Sequence, residues 1–180
     1  MPRIPSSITR WATIRVGLLI GLTLAIPAAS DTGELTASYT RYKEALDEKD
    51  YATALKHFRP LAEQGDARAQ FWLGQMHRFA QGVTKNYKEA VKWSSKGAVQ
   101  GNADAQHQLG YMYSVGQGVL QDLVMAYVWF NVAATNGHDI APSSRDKVLP
   151  RLTAPERRLA LKLSKLCLNK PAKCPEYSDD

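Results

Sequence analysis

Two cysteines among 180 residues are too few to staple a disulfide-built scaffold or to fill a structural zinc site. Long apolar runs are scarce as well. The run from Val16 to Ile26 covers eleven residues, which at 1.5 Å each span about half of a bilayer core of roughly 30 Å. With 22% charged and 44% hydrophobic residues, the chain has neither the charge density of a disordered polymer nor the apolarity of a multispanning membrane protein. Also missing are a G-x-S-x-G elbow, an H-E-x-x-H helix, a P-loop and a catalytic-cysteine signature. What is left is an ordinary globular composition with a basic excess of 23 Lys and Arg over 17 Asp and Glu. A formal +6 raises nucleic acid as a partner, to be weighed once the position of the charge is known.

Residues 1–30 carry Arg3, Arg10 and Arg15 and no acid, then the apolar run, then Ala28, Ala29 and Ser30. A basic start, a short apolar stretch and small residues before a cut are the order of a secretory signal peptide, with cleavage expected after Ser30. An uncleaved anchor is the competing reading, and the shortness of the apolar run argues against it. No cysteine follows the small residues, so lipid attachment is not expected. Export would put the chain from Asp31 onward in an oxidising compartment.

Shifting the sequence by 36 positions aligns Gly65, Gly101 and Gly137, and also Ala54, Ala90 and Ala126. Between 50–85 and 86–121 about 15 of the 36 positions are identical, including Ala69-Gln70 with Ala105-Gln106 and Leu73-Gly74 with Leu109-Gly110. A recurrence of this length predicts a solenoid. Each unit reads as two helices. Ala69, Leu73, Met76 and Ala80 form one stripe over Asp66–Ala80, matched by Ala105, Leu109 and Met112. After a Gln-Gly-Val linker a second helix carries Ala90, Val91 and Ala98, or Ala126, Trp129, Ala133 and Ala134. Gly65 and Gly101 suit helix ends, and Asp66 and Asn102 suit the N-caps that follow. A helix pair is expected upstream over Leu35–Glu48 and Asp50–Gln64, where Pro60 should kink or shorten the second member. Downstream, Asp139–Leu149 and Ala154–Leu168 form a last pair broken at Pro150. Thr153 and Glu156 make a capping box there, and Leu159, Leu163 and Leu166 form the expected apolar face.

The motif Ala-Gln-x-x-Leu-Gly-x-Met-x-x-x-x-Gln-Gly-Val, together with Ala-x-x-Trp at 90–93 and 126–129, resembles the Sel-one-like repeats, relatives of the tetratricopeptide repeat. His77, opposite Tyr113 of the second copy, departs from the pattern. The resemblance implies an all-α, right-handed α-solenoid of about four antiparallel helix pairs. The expected organisation is a signal peptide at 1–30, a tetratricopeptide-like pair at 31–65, two Sel-one-like repeats at 66–138, a divergent last repeat and capping helix at 139–168, and a tail at 169–180. In such folds the first helix of each pair lines a groove. That implies partner-binding positions Arg68, Phe71, Trp72, Gln75, Arg78 and Phe79 in one copy, and Asp104, His107, Gln108, Tyr111 and Ser114 in the next. The stripe Phe71, Trp72, Gln75 and Phe79 avoids the Ala/Leu/Met face, and aromatics beside Arg are typical of interface hot spots. A neighbouring helix covering them is the other reading.

Little else points to chemistry. Gly116-Gln117-Gly118 resembles half a phosphate loop but recurs as the repeat linker. His57, His77, His107 and His138 lack metal-ligand spacing and read as ordinary repeat or surface histidines. Asp47, Glu48 and Asp50 crowd a turn, where carboxylates serve as caps, and Met76, Met112 and Met125 read as core. No nucleophile is expected beside a base in the groove, and no cofactor or metal is expected. Cys167 and Cys174, seven apart around Pro171, suit a disulfide in an exported chain; a redox-active pair is the alternative, without C-x-x-C spacing.

Charge is unevenly placed. Residues 31–144 hold 11 basic and 12 acidic side chains, and 145–174 hold 9 and 2. The excess therefore sits on the last helix pair, at Arg151, Arg157, Arg158, Lys162 and Lys165, as a solvated face or a patch for an anionic surface. Export removes the support for nucleic acid as a partner. The favoured function is a periplasmic, non-catalytic adaptor or regulator that holds another envelope protein or peptide, with no membrane span after processing. A protein or enzyme acting on cell-wall or antibiotic substrates is the alternative.

Overall fold

The computed structural model of the chain describes Thr40, Glu44, Ala45 and residues 48–175. The expected signal peptide, most of the expected helix Leu35–Glu48 and residues 176–180 lie outside the described residues. Among the described residues every regular element is helical: α1 (Tyr51–Glu63), α2 (Ala67–Phe79), α3 (Tyr87–Val99), α4 (Ala103–Val115), α5 (Leu123–Thr135), α6 (Ala141–Val148) and α7 (Ala154–Asn169), with single 3-10 turns at Leu149–Arg151 and Pro171–Lys173. Each helix packs on its successor in the order α1 to α6, and α7 returns onto α5.

The first five helices have thirteen residues each, and each starts on an Asp or Asn whose side chain accepts from the backbone N–H three residues on. These caps are Asp50, Asp66, Asn86, Asn102 and Asp122, and each satisfies a donor that helix geometry leaves open. Buried glutamines serve the opposite ends. Gln70 Nε2 donates to the Ala62 carbonyl at 3.1 Å, and Gln106 Nε2 repeats the bond to Ala98 at 2.9 Å. Gln100 Nε2 and Asn136 Nδ2 then donate to Oε1 of Gln70 and Gln106, at 2.7 and 2.9 Å. The recurring Ala-Gln pair is thus a joint between consecutive helix pairs. The recurring Leu-Gly pair sets helix spacing within a pair: a Cβ on Gly74 would meet Ser94 Oγ at 2.7 Å, and one on Gly110 would meet the Phe130 ring at 2.8 Å.

The linkers repeat as closely. Gly118 has φ +75, and a Cβ there would collide with the Tyr87 carbonyl oxygen; Gly82 lies over the Tyr51 carbonyl in the same way. Only glycine combines that left-handed backbone with so close an approach. The core follows the array in two clusters, one around Phe58, Leu73, Met76 and Trp93, the other running from Phe71 to Cys174. Trp72 packs against both. Cys167 and Cys174 form a disulfide that draws the end of the described chain onto α7.

Several expectations change. α2 ends at Phe79, and Ala80 is an exposed C-cap with φ 59, so it leaves the stripe of Ala69, Leu73 and Met76. Pro60 does not shorten α1, because it lies on an exposed face and costs only the bond to the Lys56 carbonyl. On α7 the buried residues are Ala160, Ser164 and Cys167, whereas Leu159 is 48% exposed and only Leu163 of the expected leucine face packs on the core. Small residues carry this contact because α5 already supplies bulk: Trp129 and Val132 stand beside Cys167. The capping box of Thr153 and Glu156 is present as expected.

Candidate functional site

The first helices of two successive pairs, α2 and α4, face an open cleft of about 260 Å³. α2 contributes Phe71, Gln75 and Arg78, α4 contributes Asp104, His107, Gln108 and Tyr111, and the turn before α6 contributes His138. Seven of the eleven groove positions expected from sequence therefore meet in one place. The other four do not. Trp72 turns toward α1, with its ring 6.5 Å from Phe58 and 4.8 Å from Phe71. Arg68 is exposed near the start of α2, Phe79 flanks the cleft at 53% exposure, and Ser114 donates to the Tyr111 carbonyl. Within the cleft Phe71 and Gln108 are buried, at 8% and 3% exposure, and form its floor.

Arg78 is fixed from several sides. Its Nε donates to Gln117 Oε1 in the repeat linker at 3.2 Å, and its guanidinium carbon lies 4.2 Å from the Tyr111 ring centre and 4.7 Å from that of Phe79. Burial lowers its pKa, and interaction with the Tyr111 hydroxyl opposes the shift. Stacking of this kind holds a guanidinium flat against the ring. Opposite it, Gln108 has both amide atoms buried without a hydrogen-bond partner, and Gln75 Oε1 is in the same state.

His107 and His138 are not ordinary surface residues. His107 and His138 stack with ring centres 4.2 Å apart and planes 16° from parallel, and Phe130 lies 5.2 Å from His107 on another side. His138 occupies the place held by Asn102 and Asp66 one and two repeats earlier. It takes over the same duty: its Nδ1 accepts from the backbone N–H groups of Ile140 and Ala141 at 3.2 Å each. An acceptor at Nδ1 puts the proton of the neutral ring on Nε2, which faces Asp104 Oδ1 at 3.7 Å. His107 Nε2 meets Ser144 Oγ of α6 at 3.0 Å. Burial, reinforced by His138 and Arg78, lowers the His107 pKa to about 4. Ser144 stands on α6 and does not line the cleft, so this contact leaves the groove itself without a nucleophile beside a base. The 36-residue register of His138 with two N-caps was the available signal, and the Ser144 contact had none, since it depends on how α6 folds back.

Beyond the cleft, Arg151, Arg157, Arg158, Lys162 and Lys165 are all exposed on the 3-10 turn and α7. Arg157 Nε donates to the Leu152 carbonyl at 3.0 Å. Among the described residues no group of three or more His, Cys, Asp or Glu is placed to hold a metal ion, and no helix is long and apolar enough to cross a membrane.

Helix pairs repeating every 36 residues around an open cleft define an α-solenoid, a class that works through its extended concave surface. The cleft here is built from positions that differ between repeats, on a skeleton that does not. The chain belongs to the Sel1 repeat family, whose repeats mediate protein–protein interaction: the family model described as Sel1 repeat matches residues 45–66, 67–102 and 103–138. Solved structures agree. The chain is similar to c5321, a protective antigen present in uropathogenic Escherichia coli strains displaying an SLR fold, with 31% identity and a TM-score of 0.72 over 83% of this chain and 35% of that one. It is also similar to a Sel1 repeat protein from Oxalobacter formigenes, with 34% identity and a TM-score of 0.52 over 54% of this chain and 28% of that one. The chain thus spans about a third of the length of these structures. No curated protein matches it.

Proposed function

We propose that this protein is an exported, periplasmic adaptor that holds an envelope protein or peptide in the cleft between α2 and α4 and regulates a cell-envelope process without catalysing a reaction. The carrying observation is the cleft, where a cation stacked on Tyr111 and the side chains of Gln75 and Asp104, drawn from two repeats, line one opening. Export rests on the basic and apolar order of residues 1–30, and the Cys167–Cys174 disulfide agrees with an oxidising compartment. α6 and α7 act as a divergent closing pair whose basic outer face is solvated.

The contact of Ser144 with His107 is the observation that favours a catalytic reading, and its chemistry opposes one. A base whose pKa is held at about 4 has little affinity for the serine proton at neutral pH, and the carboxylate that could orient it, Asp104, faces His138 instead. The bond ties α6 to α4.

A photo-crosslinker at Gln75, with one at Lys162 as the control on the basic face, tests the reading in intact cells. An envelope protein trapped from Gln75 and lost in Tyr111→Ala is the expected result, on a chain whose first residue is Asp31. Trapping from Lys162 alone, or none that depends on Tyr111, would overturn it.

A further inference from the structure

The last helix has a bare side, and its side chains describe what that side meets. α7 packs on α5 and on the 3-10 turn at Pro171–Lys173, turning Ala160, Ser164 and Cys167 inward. At about 100° per residue, a side chain two positions from a buried one points away from the core. Arg158, Lys162 and Lys165 each stand two positions from Ala160 or Cys167, and all three are exposed. Their spacing of four and then three residues makes one straight stripe about 10 Å long on the side facing away from α5. That is one Debye length at about 0.1 M salt, so the three charges act together.

Among the described residues none of these three cations forms an ion pair. The one acid of α7, Glu156, is engaged at its own N-cap, accepting from Thr153 N and Oγ1 at 2.7 Å each. Residues 145–180 together hold 9 basic against 5 acidic side chains, so the end of the sequence does not cancel the excess. Leucines flank the stripe. Leu161, three residues from Arg158, is 56% exposed on one shoulder, and Leu159, three residues from Lys162, is 48% exposed on the other. An acidic protein would answer the charges and leave these leucines in water. A lipid surface, anionic at its headgroups and apolar beneath, answers both, because long basic side chains lay their methylene stems along apolar neighbours and keep their heads wet.

Solvated in the free protein, this face has a surface to meet: we propose that α7 seats the protein peripherally on a bilayer rich in anionic phospholipid. Arg158, Lys162 and Lys165 lie against lipid phosphates, and Leu159 and Leu161 reach the headgroup boundary. Docking leaves the cleft between α2 and α4 open, since no residue of α7 lines it. Seating on a bilayer therefore needs no partner in the cleft, and a partner in the cleft needs no bilayer.

The chain whose first residue is Asp31, free of the basic and apolar residues 1–30, is sedimented with vesicles of phosphatidylethanolamine and about one-third phosphatidylglycerol. It pellets with these and not with pure phosphatidylcholine, and about 0.5 M salt releases it. Arg158→Gln, Lys162→Gln and Lys165→Gln together weaken binding at least about ten-fold. Lys56→Gln, Arg59→Gln and Lys88→Gln, at exposed positions of α1 and α3, lower the net charge equally and weaken it less than about three-fold. Leu159→Gln with Leu161→Gln weakens vesicle binding and leaves any binding of soluble polyglutamate unchanged. Equal binding to phosphatidylcholine, equal losses in the two triple variants, no effect of the leucine pair, tighter binding of polyglutamate than of vesicles, or no binding at all overturns the assignment. Tyr111→Ala binds vesicles as the parent does. Failure to trap a partner from Gln75 with vesicle binding intact would remove the adaptor function and leave this one standing.

Discussion

The repeats 67–102 and 103–138 share their joints and differ in the cleft. Gln70 and Gln106 make the same buried bond, Gly74 and Gly110 allow the same close approach, and Asp66 and Asn102 cap in the same way. At the cleft, position for position, Phe71 becomes His107, Trp72 becomes Gln108, Gln75 becomes Tyr111 and Arg78 becomes Ser114. One register therefore holds an aromatic that bridges two core clusters in the first copy and an unsatisfied amide in the second. Positions that recur maintain the array, and the cleft lies where recurrence fails.

The largest expected effect tests the shared part. Gly118→Ala must adopt a left-handed backbone, at about 1–2 kcal/mol, and push a methyl against the Tyr87 carbonyl, for about 3 kcal/mol or more in all. Gly101→Ala, where nothing lies within 4 Å of the new Cβ, should lose only the backbone part. Denaturant melts of the two variants separate these contributions, and equal losses would mean that the linker contact carries no weight.

Trp72→Ala against Gln108→Met tests the divergent part. Emptying the space between Phe58 and Phe71 should cost about 2–3 kcal/mol, whereas removing an unpaired buried amide should stabilise by about 1 kcal/mol. Effects of one sign at these equivalent positions, read by thermal melts, would dissolve the distinction between skeleton and site.

The smallest effect concerns the stacked histidines. His107 has a folded-state pKa of about 4 against an ordinary 6.5, so between those values the unfolded chain takes up a proton that the folded chain does not. Stability is fully present above pH 6.5 and declines as pH falls toward 4. With the ring half-exposed, the loss should be about 1–2 kcal/mol. His107→Gln should flatten that limb of the stability curve, and an unchanged slope would remove His107 as its source.

Most of the fold could be read in the sequence because a 36-residue recurrence constrains every position twice. The caps at Asp66 and Asn102, the buried methionines and the capping box at Thr153 follow from local rules. Seven cleft residues followed from the family resemblance carried along the repeat register. Trp72 did not, since the side of α2 that α1 covers depends on where α1 stacks. The leucines of α7 misled for a similar reason. Their spacing made a good apolar face, but Trp129 and Val132 of α5 left room only for Ala160, Ser164 and Cys167. The contact of His107 with Ser144 spans 37 residues and exists only after α6 has folded back.

The buried amides at each joint also govern how such a chain can change length. Gln100 holds Gln70, which holds the Ala62 carbonyl, and Asn136 holds Gln106, which holds Ala98. Duplicating or deleting 36 residues leaves every one of these couplings with a partner of the same kind. An insertion of any other length within a helix pair misaligns a cap, a glutamine and a linker glycine together. Variation in array length should therefore be quantised, with growth by whole units neutral for folding and free to install a new cleft at each added junction.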